Sequence, residues 1–265
     1  MSSKHDTLTY NTSYSRSKSA TIEEWIALQD AWKEQLMLEP EVLCSAVDLE
    51  SLLETFPLLG GVDITPDREH ENVAYVGIAV LSSRTLELKY CQTYRANLEV
   101  PYIPGFLGFR EAPALINAVE CLKKEKPQYF PHVLFVDGNG ILHPRGFGSA
   151  CQVGLFLDLP TIGVAKSFLN VDGLNSLQVK DQLYQQENRW LPLVGSSNRL
   201  LGAALLSNGS VKRPIFVSVG YRIKLLEAVN LVFHACRYRV PEPIRIADHI
   251  SREAARQALC RMQES

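Results

Sequence analysis

Two acidic residues stand where carboxylates are costly unless something meets them. Asp137 closes the apolar run LFVD and is followed by four glycines and His143-Pro144-Arg145; Asp63 ends a second short run, LLGGVD. A carboxylate delivered by a buried segment needs a cation or hydrogen-bond donors. Two of them, joined by Glu111 and Asp248 at further expected element boundaries, suggest a site for a divalent metal. Mg²⁺ prefers hard oxygen donors, with water and substrate phosphate completing its shell, so the chemistry implied is phosphoryl transfer. Acids at loop ends also cap helices or face solvent, and spacing alone leaves that alternative open.

Composition narrows the classes. The chain has 265 residues, 46% of them hydrophobic, enough for one substantial core. Its formal net charge of −2 gives no global field to attract a polyanion. A local one is carried between Val211 and Arg245, where Lys212, Arg213, Arg222, Lys224, Arg237, Arg239 and Arg245 face only Glu227 and Glu242; it could steer a phosphate backbone or be a solvated helix face. Six scattered cysteines lack any Cys-x-x-Cys and point to a reducing, intracellular setting, the cytoplasm ahead of the nucleus. Neither a secretory signal nor a run of membrane-spanning length is found, and no Gly-x-x-x-x-Gly-Lys-Ser/Thr phosphate loop. A monomer without an obligate protein partner or a membrane is expected.

The elements that must position these acids follow an α/β rhythm. Residues 1–19 are polar and expected to be a disordered tail. Residues 20–57 are read as a helix over Thr21–Lys33, then extended chain or linker over Val42–Pro57. One domain, 58–265, follows. It has a strand ending near Asp63, a hairpin of Val73–Ser82 and Thr85–Arg95, a helix from Glu111 to Lys124 and a buried strand His132–Asp137. A helix Gly148–Leu157, strands at Thr161–Ala165, Leu200–Leu206 and Ile215–Val219, and helices at Leu225–Cys236 and Arg252–Met262 complete it. The helix after Gly220 has Lys224 where a small polar cap is usual, which blurs its start.

Five segments in order carry a resemblance: GVDI (61–64), PYIPGFLGFRE (101–111), VDGNGILHPRGFG (136–148), IGVAKS (162–167) and RVPEPIRIADHISRE (239–253). From about Leu58 to Glu253 the chain resembles endonuclease V. The resemblance implies a ribonuclease-H-like fold, a central mixed β-sheet flanked by helices. It also implies cleavage of nucleic acid at inosine, at the second phosphodiester bond on its 3′ side, leaving 3′-hydroxyl and 5′-phosphate ends. By that resemblance Asp63, Glu111, Asp137 and Asp248 bind Mg²⁺, with Mn²⁺ as the alternative, and Lys166 joins them in catalysis. Without its motif, Lys166 would read as a solvated strand-end lysine.

Pro101, Tyr102, Ile103 and Pro104 would form an apolar wedge against the bases, the alternative being a turn packed by Tyr102. Gly138, Gly140, His143, Gly146 and Gly148 would shape an inosine pocket, since glycines permit close backbone approach to a base edge. The stretch CRYRVPEP looks like the eukaryotic branch, which favours inosine-containing RNA, with deoxyinosine-containing DNA repair as the alternative. An inactive inosine-nucleic-acid binding module on the same fold is the competing function.

Overall fold

Strand β4 (Val133–Asp137) reads VLFVD, and its first four residues are buried. Such an uninterrupted apolar run suits a strand covered on both faces, as in a parallel pair. In the computed structural model, which describes residues 22–36, 48–207 and 213–263, β4 lies near the middle of one eight-stranded sheet. The expected tail at 1–19 lies outside the described residues. The other strands are β1 (Leu58–Pro66), β2 (Val73–Ser82), β3 (Leu88–Asn97), β5 (Thr161–Ala165), β6 (Trp190–Val194), β7 (Leu200–Leu205) and β8 (Ile215–Tyr221). Their order is β3-β2-β1-β4-β5-β8-β7-β6, with β1, β4 and β5 mutually parallel and the remaining pairs antiparallel.

Helices α1 (Ile22–Lys33), α2 (Leu49–Thr55), α3 (Leu107–Glu125), α4 (Ser149–Leu157), α5 (Ser176–Leu183), α6 (Leu225–Ala235) and α7 (Glu242–Gln263) flank this sheet. Alternation along β1 and β4 separates the two faces. Val62, Leu134 and Val136 pack with Leu115, Val119 and Leu122 of α3 and with Val153 of α4. Gly61, Asp63 and Gly77 look the other way, toward α7. A side chain on Gly77 would begin 2.1 Å from the Ala247 carbonyl oxygen, and one on Gly61 would begin 2.2 Å from the Pro243 carbonyl carbon. Glycine at both positions lets the backbone of α7 lie directly on β1 and β2. Among the described residues no helix is long and apolar enough to cross a membrane.

Several boundaries differ from the sequence reading, each for a local reason. Val42–Pro57 is not all linker: Asp48 caps α2 by accepting the N–H groups of Glu50 and Ser51. The second hairpin strand starts at Leu88, because Leu86 takes a left-handed turn conformation with φ of 54°. Helix α3 starts at Leu107, four residues before Glu111. Helix α7 starts at Glu242, ten residues before Arg252, because Pro243 stands in the first turn, where its missing N–H costs nothing. So Glu111 and Asp248 lie inside helices and Asp63 inside β1; only Asp137 ends its element. Helix α5 and the short strand β6, which contains Pro192, were not expected. The start of α6 is resolved by Glu227, whose carboxylate accepts the Lys224 N–H at 3.1 Å in place of a small polar cap.

Helices α1 and α2 join the same core as the sheet. Trp25 stacks on Phe109 with ring centroids 5.1 Å apart, Trp32 meets Phe109, Phe147 and Phe156, and Leu52 and Leu53 are buried in the same cluster.

Gly77→Ala tests how closely α7 must approach. The methyl must displace a carbonyl rather than a flexible side chain, so a loss of about 1–3 kcal/mol is expected. For a chain of this size that is a fall in Tm on the order of 2–10 °C. Thermal unfolding measures it; an unchanged Tm would show that α7 shifts outward without cost.

Candidate metal centre and nucleic-acid cleft

Register brings the first two acids together. Val62 pairs with Val136 in the parallel β1–β4 ladder, so the next residues, Asp63 and Asp137, emerge side by side. Strand β5 ends at Ala165 and delivers Lys166 at the same edge. Carboxyl ends of neighbouring parallel strands are where open α/β sheets place ligand sites. Asp248 comes from α7, adjacent to Ala247, whose carbonyl rests over Gly77, the partner of Asp63 in β2. One carboxylate oxygen from each of Asp63, Asp137 and Asp248 lies within 4.8 Å of the others.

The electrostatics follow from that crowding. Asp63 is only 9% exposed. Burial, then the charge and hydrogen bond of Asp137, then the charge of Asp248 push its carboxyl up to about 8, with Lys166 opposing. Lys166 Nζ donates to Asp137 Oδ2 at 2.5 Å and stands 3.6 Å from Asp248 Oδ1. Burial pulls the Lys166 ammonium down, but the hydrogen bond and charge of Asp137, with Asp248 and Asp63, outweigh it and hold the lysine protonated. Asp248 also accepts from Arg252 Nε at 2.9 Å. Counted as fully ionised, the three carboxylates exceed Lys166 and Arg252 by one negative charge, which the proton on Asp63 balances until a cation displaces it. Hard oxygen donors from three separate elements fit a divalent cation.

Glu111 is not one of the three converging acids. It is nevertheless near enough to Asp137 to feel its charge: burial pushes Glu111 up to about 7, Arg110 opposes, and Asp137 adds to the rise. Sequence reasoning missed Ser251, fully buried, whose hydroxyl lies 3.3 Å from Asp63 Oδ2, 3.0 Å from the Asp248 carbonyl and 2.8 Å from the Thr65 hydroxyl. Its signal was the three-residue step from Asp248, which places both on one helical face. Also missed were Arg68 and Arg256, which with Arg252 and His249 wall a cleft of about 560 Å³ over the acids. Cations beside an acidic floor suit a phosphate backbone crossing it.

The wedge residues form the loop before α3. Pro101, Tyr102 and Pro104 are exposed, Tyr102 at 64%, while Ile103 packs against the core. Arg110 ties the loop down by donating to the carbonyls of Val100 and Glu71.

The five pocket residues separate. Gly138 continues from Asp137 with φ of 153° and faces the Ser149 hydroxyl. Gly140 and Gly148 are buried, and their missing side chains are explained by packing: a Cβ would stand 2.0 Å from the Val219 oxygen and 2.2 Å from the Asn139 oxygen. Gly146 and His143 line another cavity; burial, then Arg145, push the His143 imidazole down to about 4, so it is neutral at physiological pH.

The basic run near the C-terminus is not one patch. Arg239 donates to the carbonyls of Lys166, Pro214 and Arg213, Arg237 to that of Thr85, and Arg245 pairs with Glu242. Arg222 pairs with Asp158, and Lys212 lies outside the described residues.

A mixed sheet flanked by helices, with three acids and a lysine converging beneath an arginine-walled cleft, defines the class: a protein built to hold a divalent cation against a phosphate backbone. The family model for endonuclease V matches residues 41–249, and the chain belongs to the endonuclease V family of enzymes. It is 46% identical to mouse endonuclease V over 204 residues, a match covering 76% of this chain and 60% of the mouse protein. The crystal structure of the catalytic domain of human endonuclease V superposes with a TM-score of 0.81 at 38% identity, covering 89% of this chain and 96% of that one. Endonuclease V of Ciona intestinalis, in complex with a 24-mer DNA containing an inosine followed by a ribo-adenosine, gives 0.81 at 29% identity, over 89% of this chain and 98% of that one.

The raised acids predict how metal-free protein responds to pH. Between the ordinary carboxylate range near 4 and the folded values of about 8 and 7, folded protein keeps protons on Asp63 and Glu111 that unfolded chain releases. Their contribution therefore makes the fold most stable at the acid end of that window and less stable as pH rises through it. Thermal unfolding in EDTA should show Tm falling from pH 5.5 to pH 8, Mg²⁺ restoring it at pH 8, and Asp63→Asn flattening the profile. A metal-free Tm that rises over this interval would contradict the assignment.

Proposed function

We propose that the chain is a metal-dependent endonuclease that recognises inosine in a nucleic-acid strand and hydrolyses the second phosphodiester bond on its 3′ side. The observation that carries this is the meeting of Asp63, Asp137 and Asp248 beside Lys166 in a chain of the endonuclease V family. The β3-β2-β1-β4-β5 order, an antiparallel meander continued by parallel strands, supports the ribonuclease-H-like name.

Asp63, Asp137 and Asp248 would hold Mg²⁺ or Mn²⁺, and Glu111, near enough to Asp137 to be raised by its charge, would be the fourth acid of the set. A divalent ion there supplies stabilisation for charge building on the phosphate and makes water a better nucleophile. Lys166 keeps its proton at Nζ and offers that charge to a non-bridging phosphate oxygen. Asp137 aims it, at 2.5 Å. Ser251 orients the Asp63 carboxylate by the hydroxyl contact at 3.3 Å. Water attacks phosphorus and the bond to the 3′ oxygen breaks, so a 3′-hydroxyl and a 5′-phosphate result. Tyr102, exposed on a loop stiffened by two prolines, would enter the base stack while inosine is rotated out. Gly138, adjacent to Asp137, is the pocket glycine nearest the reacting end.

The relative in complex favours DNA over the RNA expected from the sequence: its strand is DNA containing an inosine. The ribo-adenosine after that inosine supports the second reading, inosine-containing RNA, because it puts a 2′-hydroxyl next to the recognised base. The proposed setting is intracellular, the cytoplasm ahead of the nucleus.

Matched labelled DNA and RNA strands, with and without one inosine, are to be incubated with Mg²⁺ or EDTA. Cleavage should need both inosine and metal, and the DNA and RNA rates rank the two substrates. Tight inosine binding without metal-dependent cleavage would make the chain a binding module instead. Asp63→Asn and Asp137→Asn should each slow single-turnover cleavage by about 100-fold or more while strand binding persists; near-normal rates in both would remove them from the mechanism. For the wedge, Tyr102→Ala should weaken productive binding several-fold more than Tyr102→Phe with little change in Tm. Equal behaviour of the two would leave Tyr102 without that role.

A further inference from the structure

We infer that a second cavity, formed between α1 and the loop after β4, is an oxyanion site that grips a backbone phosphate of the bound strand away from the cleavage centre. This rests on the nucleic-acid reading above. The cavity measures about 550 Å³ and shares no lining residue with the acidic cleft. Its charged residues are Asp30, Lys33, Arg145, Asp172 and Arg199.

Both acids have partners, Asp30 an arginine and Asp172 only neutral donors that leave its charge in place, so the cavity keeps three basic residues against two acidic ones. Asp30 takes Arg145 at 2.6 Å, and the Asp172 carboxylate accepts the Ser197 N–H at 3.2 Å and its hydroxyl at 2.5 Å. Lys33 and Arg199 remain, and no carboxylate among the described residues stands within ion-pair range of either. They nevertheless converge. Measured from the point where a side chain on Gly146 would begin, Lys33 Nζ lies at 3.3 Å and Arg199 Nη2 at 3.7 Å. Two cations drawn to one spot without a counter-charge repel each other, and an anion between them reverses the sign of the interaction.

Two features separate this from a pair of solvated surface cations. Gly146 has φ of 67° and no side chain, so the floor between them is bare backbone. Lys33 is mounted on a fixed support, because α1 is pinned by Gln29 Nε2 donating to the Phe147 carbonyl at 2.7 Å in a buried contact and by the Trp25–Phe109 stack. A guanidinium and an ammonium over an open floor suit a phosphate, the first by paired N–H groups and the second as a point charge. Arg199 is exposed, as contact with a long strand requires. Helix α1 precedes the matched residues 41–249, so Lys33 comes from outside the part of the chain that defines the family, while Arg199 and Gly146 lie within it.

The test uses fluorescent single strands with and without one inosine, kept intact by EDTA, titrated over a range of salt with wild type and with Lys33→Gln/Arg199→Gln. Losing one phosphate contact should lower the slope of log affinity against log salt by about 0.7. Affinity should fall roughly tenfold at low salt, for both strands alike. Lys33→Arg/Arg199→Lys keeps the charge and should keep the slope. An unchanged slope and affinity in the folded glutamine variant overturns the site. So does stabilisation of wild type by inorganic phosphate with no slope change, which would mean a free anion rather than a strand. Wild type that binds strands without preferring inosine would refute the inosine reading, while the slope difference between variants would still decide the site.

Discussion

Three carboxylates held within 4.8 Å of one another set the terms for this fold. Left alone they repel, and burial of Asp63 removes the water that would screen them. Each nearby interaction is an answer to that repulsion: Lys166 inserted between Asp137 and Asp248, a proton retained on Asp63, Arg252 on the outer side of Asp248, and the Ser251 hydroxyl against Asp63. No single one neutralises the set; together they do so only while Asp63 keeps its proton, the charge that a divalent ion would take over.

Bringing the acids so close requires the scaffold to be tight. Asp63 and Asp137 are neighbours by strand register alone, but Asp248 belongs to a helix lying across the sheet. Only the bare backbone at Gly61 and Gly77 lets that helix sit low enough, and a methyl at either position would meet main-chain atoms near 2 Å. Like-charge crowding accumulates at this end of the sheet, while stability is supplied by the large aromatic and aliphatic packing elsewhere, including the α1 tryptophans. A site that costs stability is maintained because the rest of the core over-determines its geometry.

The acidic cleft and the cavity by α1 divide the labour of holding a polyanion. The first has an acidic floor and arginine walls, so it favours a phosphate only together with a cation. The second has three basic residues against two acidic ones, and among the described residues no carboxylate lies within ion-pair range of Lys33 or Arg199, so it favours a phosphate directly. The PYIP loop, tied down by Arg110 through the carbonyls of Val100 and Glu71, keeps Tyr102 exposed.

Local pattern in the chain was enough for the elements that carry their own signal. The buried strand ending in Asp137, the β5 strand Thr161–Ala165, helix α4 and the Val73–Ser82 strand stand where periodicity and turn residues put them, whereas β1 runs three residues past Asp63. Motif order was enough for the family. It named Asp248 but not the helix that carries it: a helix was expected only from Arg252, yet Pro243 falls in a helical first turn, where no N–H is needed, and α7 runs from Glu242 through the site. Nor could it find α5 and β6, whose mixed polar sequences carry no clean period, or Ser251, Arg68 and the Lys33–Arg199 pair. Those depend on which distant segments are laid side by side. Residue spacing encodes which way side chains point within one element, whereas the meeting of Asp248 with Asp63, or of Lys33 with Arg199, is decided by strand register and by how closely a helix can approach glycine backbone. Only packing of the whole chain sets those distances.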